Sequence, residues 1–231
     1  MSPSALRFGL QLGQSRLFRL PALVVALAIV SFAAAVALAE KQLDLVGAAT
    51  RSLQGGAFGL IVPLATLGAT GLVFGKSGLI DATTPLSRFG ISRRPVALGL
   101  VVCNAATASS LAASIAFVTA LLAHDPWAPP LGQDLLASTW IGALVGAAYA
   151  GLYSLGAAFG RRGGARGFVL IFDFVFGGSA SALAVMAPRS HALHLLGAEP
   201  PLDGMGQWTS AAVLFVMAVF GAGLAVVRCP R

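Results

Sequence analysis

The sequence is short of charge. Of its 231 residues only 10% are Asp, Glu, Lys or Arg, whereas 57% are hydrophobic, and the mean hydropathy is +0.86. A water-soluble domain carries roughly 25% charged residues, so a soluble globular fold is excluded and an integral membrane protein is indicated. Cysteine is nearly absent. Cys103 lies in an apolar run and Cys229 near the C-terminus, which gives neither a disulfide framework nor a metal-ligand spacing. Histidine occurs three times, as His124, His191 and His194, always outside the apolar runs. Ser179 and Ser181, in the apolar stretch GGSAS, therefore lack the base that an intramembrane serine protease needs. His191 and His194 are close at i,i+3, but a metal site would require Glu199 or Asp203 to fold back, so no metal is expected and surface histidines are the default.

Two further absences narrow the function. Gly75-Lys76-Ser77 imitates the end of a phosphate-binding loop, yet Thr70 stands where its first glycine is needed and no strand precedes it. No nucleotide site is expected on this chain. No internal repeat is evident either, which argues against an inverted-repeat secondary transporter. The net charge of +7 does not indicate nucleic acid, because the basic residues lie between apolar runs and not on one exposed face.

What is present is a succession of apolar runs. Residues 4 to 20 place Leu6, Leu10, Leu17 and Leu20 on one stripe and Arg7, Gln11 and Gln14 on another, the pattern of a helix in the membrane interface, ended by Pro21. Residues 22 to 39 are long enough to span; although Ala37-Leu38-Ala39 imitates a signal-peptide cleavage site, the run is expected to be kept. Further spans are expected over residues 57–75, 95–123, 135–159, 168–187 and 208–227. The expected fold is thus an all-α integral membrane protein, with an interfacial amphipathic helix over 1–20 and six transmembrane helices over 21–231.

Charge orients it. Six spans put both termini on one side, which then holds twelve Lys and Arg residues against Lys41, Arg51 and Arg189 on the other. Basic short loops stay cytoplasmic, so a multi-pass protein of the cell membrane with cytoplasmic termini is expected. Trp127, Trp140 and Trp208 fall at or near the outer ends, where indole rings prefer the headgroups. Small-xxx-small spacings at Gly71/Gly75, Gly142/Gly146 and Gly156/Gly160 predict close helix packing.

Few residues in the spans can carry chemistry. Asp173 is the one acid well inside a run; it should face a polar partner or a wet cavity, or pair with Arg166 near the interface. Asn104, the only asparagine, and Thr107, with Ser109, Ser110 and Ser114, make the third run polar, which interhelical hydrogen bonding explains most simply and a substrate path also would.

The polar segment 76–94, KSGLIDATTPLSRFGISRR, carries Lys76, Arg88, Arg93 and Arg94 against one acid, Asp81. Its middle reads as a short surface helix with Thr84 as N-cap, Pro85 in the first turn, and Leu86 and Phe89 as an apolar ridge beside Arg88. As a simple solvated loop it would serve only to fix topology.

This layout resembles the permease subunits of ATP-binding-cassette exporters of the type 2 class. The likeness rests on the interfacial helix, six spans, the basic loop before the third span with Gly78-Leu79-Ile80-Asp81-Ala82-Thr83-Thr84-Pro85-Leu86-Ser87-Arg88, and the longer outer segment 188–207 with a short helix near His191 to Gly197. Where a glutamate-rich start to this loop is usual, Lys76-Ser77-Gly78 stands instead. The resemblance implies a non-enzymatic permease of unknown substrate, a separate ATPase subunit that holds ATP and magnesium, and a second copy of this or a related chain. It implies ATPase coupling through Asp81, Thr83, Thr84, Pro85, Leu86, Ser87, Arg88 and Phe89. The competing reading is a structural or assembly subunit of a larger membrane complex.

Overall fold

A computed structural model describes residues 3–44, 46–75, 78–87, 90–125, 130–159, 163–179 and 181–230. Among them the chain is all helical. The helices are α1 (Pro3–Leu17), α2 (Leu20–Leu43), α3 (Ala48–Arg51), a π-helical stretch (Ser52–Ile61), α4 (Val62–Phe74) and α5 (Gly78–Ser87). Then follow α6 (Arg93–Ala123), α7 (Leu131–Ala157), α8 (Ala165–Phe176), a 3-10 turn (Ala182–Met186), α9 (Pro188–Leu195) and α10 (Gln207–Arg228). Among the described residues five helices are long and apolar enough to cross a membrane: α2, the run starting at Ala48, α6, α7 and α10.

The 31-residue α6 is the mast of the fold. At 1.5 Å per residue it is about 46 Å long, well beyond a hydrocarbon core of about 30 Å. Helix α7 packs antiparallel along it, and there the small residues act as the sequence predicts. A β-carbon on Gly146 would stand 2.5 Å from the Ala108 carbonyl oxygen, and one on Gly142 would stand 2.7 Å from that of Ala112. The other two spacings behave differently. Gly71 has open space around it, and Gly75 ends α4 at φ +77; Gly156 packs on the backbone of Ala165 and Arg166, while Gly160 lies outside the described residues.

Helix α10 runs parallel to α7. Its end is tied to the start of α6 by Arg94, which donates to the carbonyls of Cys229 and Val227 at 3.1 and 3.2 Å. The chain must therefore travel back along the bundle between α7 and α10, and it does so in pieces. The expected continuous helix over 168–187 does not form: α8 stops at Phe176, Gly177 and Gly178 follow in a turn, and the 3-10 turn and α9 complete the path. A β-carbon on Gly177 would lie 2.5 Å from the Asp173 carbonyl and 2.8 Å from Cβ of Arg189, so the turn needs glycine for close approach.

Helix α1 also departs from expectation. Its most buried stripe is Ala5-Gly9-Gly13, not the leucines, because these small residues admit α6 closely: Gly9 lies against the backbone of Val96 and Gly99, and Gly13 against the side chain of Cys103. A β-carbon on Gly99 would be 2.5 Å from the Leu6 carbonyl. Leu6, Leu10 and Leu17 flank that contact half-buried, and Leu20 belongs to α2, where it is 75% exposed.

Two large apolar cores result, with a small third cluster of Ala37, Ala48 and Ala123. One gathers Phe58, Ile115, Tyr149, Tyr153 and Leu214 in mid-bundle; the other, at the basic end, gathers Phe74, Leu79, Val96, Leu100, Ala225 and Cys229. Both cysteines are free and buried.

Candidate functional site

At the basic end two loops meet back to back. Gly78 opens α5 at φ +85, where a β-carbon would be strained and would also stand 2.7 Å from the Ala157 carbonyl and 3.0 Å from Gly163. Helix α5 then seats Leu79 and Thr83, one turn apart, with no exposed surface. The Thr83 hydroxyl donates to its own helix, at 2.9 Å to the Ile80 carbonyl and 3.3 Å to that of Leu79, so its burial leaves no polar group unmet. Asp81 and Pro85, again one turn apart, point outward.

Three expectations for this element are corrected. Thr84 is no N-cap; it sits within α5 and its hydroxyl donates to the Ile80 carbonyl at 2.9 Å. Pro85 is the eighth residue of α5 and not in its first turn, and with no N–H it cannot donate to the Asp81 carbonyl one turn back. Leu86 is half-buried against the basic-end core, so it does not form a free ridge. Ser87 closes the helix, and its side chain, Arg88 and Phe89 lie outside the described residues.

The second place is Asp173, which has no exposed surface. Its Oδ2 accepts from the Tyr149 hydroxyl at 2.7 Å, and Oδ1 accepts from the Arg189 backbone N–H at 3.1 Å. A polar partner in the interior is thus present, and Arg166 is not it: that guanidinium donates to the Gly163 carbonyl at 3.1 Å. Tyr149 stacks on Tyr153 with ring centroids 5.6 Å apart, and the Tyr153 hydroxyl donates to the Pro63 carbonyl at 3.1 Å. A chain of contacts therefore joins α8, α7, α4 and α9. The Arg189 guanidinium lies 6.0 Å from the Phe174 ring centroid, and its buried Nε has no hydrogen-bond partner. Tyr149 and Arg189 were not apparent as partners from the sequence. The usable signal is that the chain has only two tyrosines and both fall at i,i+4 in one apolar run, where phenol hydroxyls require partners.

Asn104 faces α7, donating at 3.2 Å to the Ser154 hydroxyl and at 3.4 Å to the Ala150 carbonyl. Its burial is complete, although Oδ1 has no partner. Thr107 donates to the Cys103 carbonyl of its own helix at 2.8 Å and stays half-buried on another face. Asp173 and Asn104 both meet α7, but Thr107 does not join them.

The histidines His191 and His194 are interior residues, contrary to expectation: both rings turn Nδ1 to the Ser210 hydroxyl, at 3.0 and 2.8 Å. His191 Nε2 donates to the Val185 carbonyl at 2.8 Å, which makes Nδ1 the acceptor when that ring is neutral. Burial is the main influence lowering the His191 pKa from 6.5, with nearby His194 adding to it and the Val185 bond opposing it. A ring that binds protons less readily when folded contributes stability above its unfolded pKa, and that stability is lost as pH falls through the window below 6.5. The melting midpoint in detergent is expected to drop as pH is lowered through this window, and to drop less in His191→Gln. His124, by contrast, pairs with Asp134 at 3.3 Å. Among the described residues no three His, Cys, Asp or Glu side chains gather into a metal cage.

Fold and site together define a polytopic, all-α membrane protein with a buried carboxyl network and a short helix lodged at its basic end. Compared with known proteins, the chain matches no family model, no curated protein and no solved structure.

Proposed function

We propose that the chain is the membrane-spanning permease subunit of an ATP-binding-cassette transporter of the type 2 exporter class, driven by a separate ATPase and paired with a second copy of itself or a related chain. The observation that carries this reading is α5. With Leu79 and Thr83 buried, it packs on the bases of α4, α6 and α7 while Asp81 and Pro85 stay outward. A docking element must be fixed to the spans on one side and free on the other, because it passes a nucleotide-driven movement between them. ATP and magnesium belong to the partner in this reading, and the chain itself performs no catalysis.

The same reading makes the path from α8 to the 3-10 turn a sixth, broken crossing. It places the termini, α5 and the 158–166 loop on the cytoplasmic face of the cell membrane, in keeping with the basic residues. On a background lacking Cys103 and Cys229, Glu199→Cys is expected to react with an impermeant maleimide in intact cells. Asp81→Cys should react only after lysis; the reverse pattern would overturn the orientation.

Co-purification in mild detergent tests the function itself. A stoichiometric ATPase should accompany the wild-type chain, and Asp81→Arg should weaken that association about tenfold, equivalent to about 1.4 kcal/mol for one reversed interfacial charge. A structural or assembly subunit is the second reading, favoured by the fact that Asp173 is fully engaged within the chain. Absence of any ATPase partner would select it.

A further inference from the structure

A groove of about 960 Å³ runs between α2, α4 and α6, with the end of α1 across one mouth. Its volume falls within the range of small-ligand sites, roughly 300–1,000 Å³. One wall is α2, with Leu23 and Val30; the floor holds Gly68 of α4; the facing wall of α6 carries Ser110 and Ser114. Along α6 the lining extends from Val102 to Ser114, about 18 Å at 1.5 Å per residue, close to the depth of one leaflet of a roughly 30 Å hydrocarbon core. The Ser114 hydroxyl donates to the Ser110 carbonyl at 2.8 Å, so that hydroxyl is already satisfied by its own helix. Ordinary interior packing does not fill this space: Leu23 remains 49% and Val102 47% exposed at the rim.

Two cations flank this mouth along the chain, between and beside the lining residues Gln14, Leu17, Phe18 and Pro21. Arg16 lies just beyond Gln14, which lines the groove, and donates to the Val73 carbonyl of α4 at 2.6 Å; Arg19 is exposed in the turn into α2. The two cations are three residues apart, Arg16 in the last turn of α1 and Arg19 at the start of α2, and partial burial, with Arg19 adding to it, lowers the Arg16 pKa. The ion pairs among the described residues involve Arg51 and His124, and none involves Arg16 or Arg19. The other acids are placed elsewhere, Asp81 on α5, Asp173 in mid-bundle, Asp125 just after α6, and Glu199 and Asp203 between α9 and α10.

We infer that this groove binds one anionic phospholipid per chain, with an acyl chain between α2 and α6 and its phosphate beside Arg16 and Arg19. An apolar slot one leaflet deep with two uncompensated arginines at its mouth matches that molecule in both length and charge. The cytoplasmic leaflet, where the proposed orientation puts this mouth, is the one rich in anionic lipid. The inference requires membrane insertion but no ATPase, so its failure and that of the permease reading are separable.

The test is native mass spectrometry of the full chain released from nanodiscs of equal parts phosphatidylglycerol and phosphatidylcholine. One phosphatidylglycerol per chain should survive delipidation in preference to phosphatidylcholine. Arg16→Gln combined with Arg19→Gln should cut that preference about 30-fold, at about 1 kcal/mol per cation. Gly68→Phe should expel lipid of either headgroup, because a β-carbon at Gly68 meets nothing within 4 Å and the ring would fill the groove. Should that variant fail to fold, the arginine pair, at the groove mouth, still decides. Retained lipid that mirrors the bulk mixture, or an unchanged preference in the arginine variant, would overturn the inference. So would disulfide cross-linking of two chains through Leu23→Cys and Ser114→Cys, which would show a second copy in the groove.

Discussion

Replacing Asp173 by alanine is expected to lower the melting midpoint in detergent by about 10 °C. The substitution strands the Tyr149 hydroxyl and the Arg189 N–H beside a fully buried position, each at a cost of about 1–3 kcal/mol. It also leaves a cavity where four elements meet. A loss of about 3–5 kcal/mol, at roughly 2–4 °C per kcal/mol for a chain of this size, gives that shift. Asp173→Asn retains an oxygen for Tyr149 but turns an amide NH2 towards the Arg189 N–H, so its cost should be about 1–3 kcal/mol. Tyr149→Phe tests the same contact from the other side. A midpoint unchanged in Asp173→Ala would mean that the network does not hold α8 and α9 in place.

Gly151→Leu should be still more damaging, abolishing a monodisperse peak on size exclusion. A β-carbon at Gly151 would lie 2.5 Å from the Ala218 carbonyl and 2.8 Å from that of Met217, and Gly221 answers from α10 against the Gly151 backbone. These neighbours are main chain of two long helices, so they cannot yield as a flexible side chain would. Overpacking commonly costs about 1–3 kcal/mol, and rigid backbone on both sides puts this case at or above the upper end. Gly68→Ala is the control: with open space around its β-carbon it should change stability by less than about 0.5 kcal/mol. Equal behaviour of the two variants would show that α10 does not seat on α7 through glycine.

Length and apolarity made α2, α6, α7 and α10 legible in the sequence, since a bilayer-long helix needs about 20 apolar residues in a row whatever it packs against. The break after Phe176 was not legible because a hydropathy average passes smoothly over Gly177 and Gly178. What separates a turn from a helix there is contact with Arg189, twelve residues on. Likewise Leu6 and Leu10 look like the seat of α1 by periodicity, but the closest approach belongs to Gly9 and Gly13, which a hydrophobicity scale ignores. Asp173 could be singled out by its depth, while its partners could not, because Tyr149 and Arg189 become neighbours only through the folded path. In α5 the existence of a helix was readable, but its start was not: Gly78 depends on the 163 loop, far away in sequence.

The short α8 also constrains how the protein is made. If α8 belongs to the sixth crossing proposed above, its twelve residues, about 18 Å of helix with an aspartate among them, are a weak signal for the insertion machinery, since a mid-helix acid is worth about +2.5 to +3.5 kcal/mol against partitioning. The phenol that accepts this acid into the interior is on α7, which leaves the ribosome first. The order of synthesis thus supplies the receptor before the guest. A chain with α7 weakened at Tyr149 should release α8 from the membrane during translation, before any finished bundle exists to be destabilised.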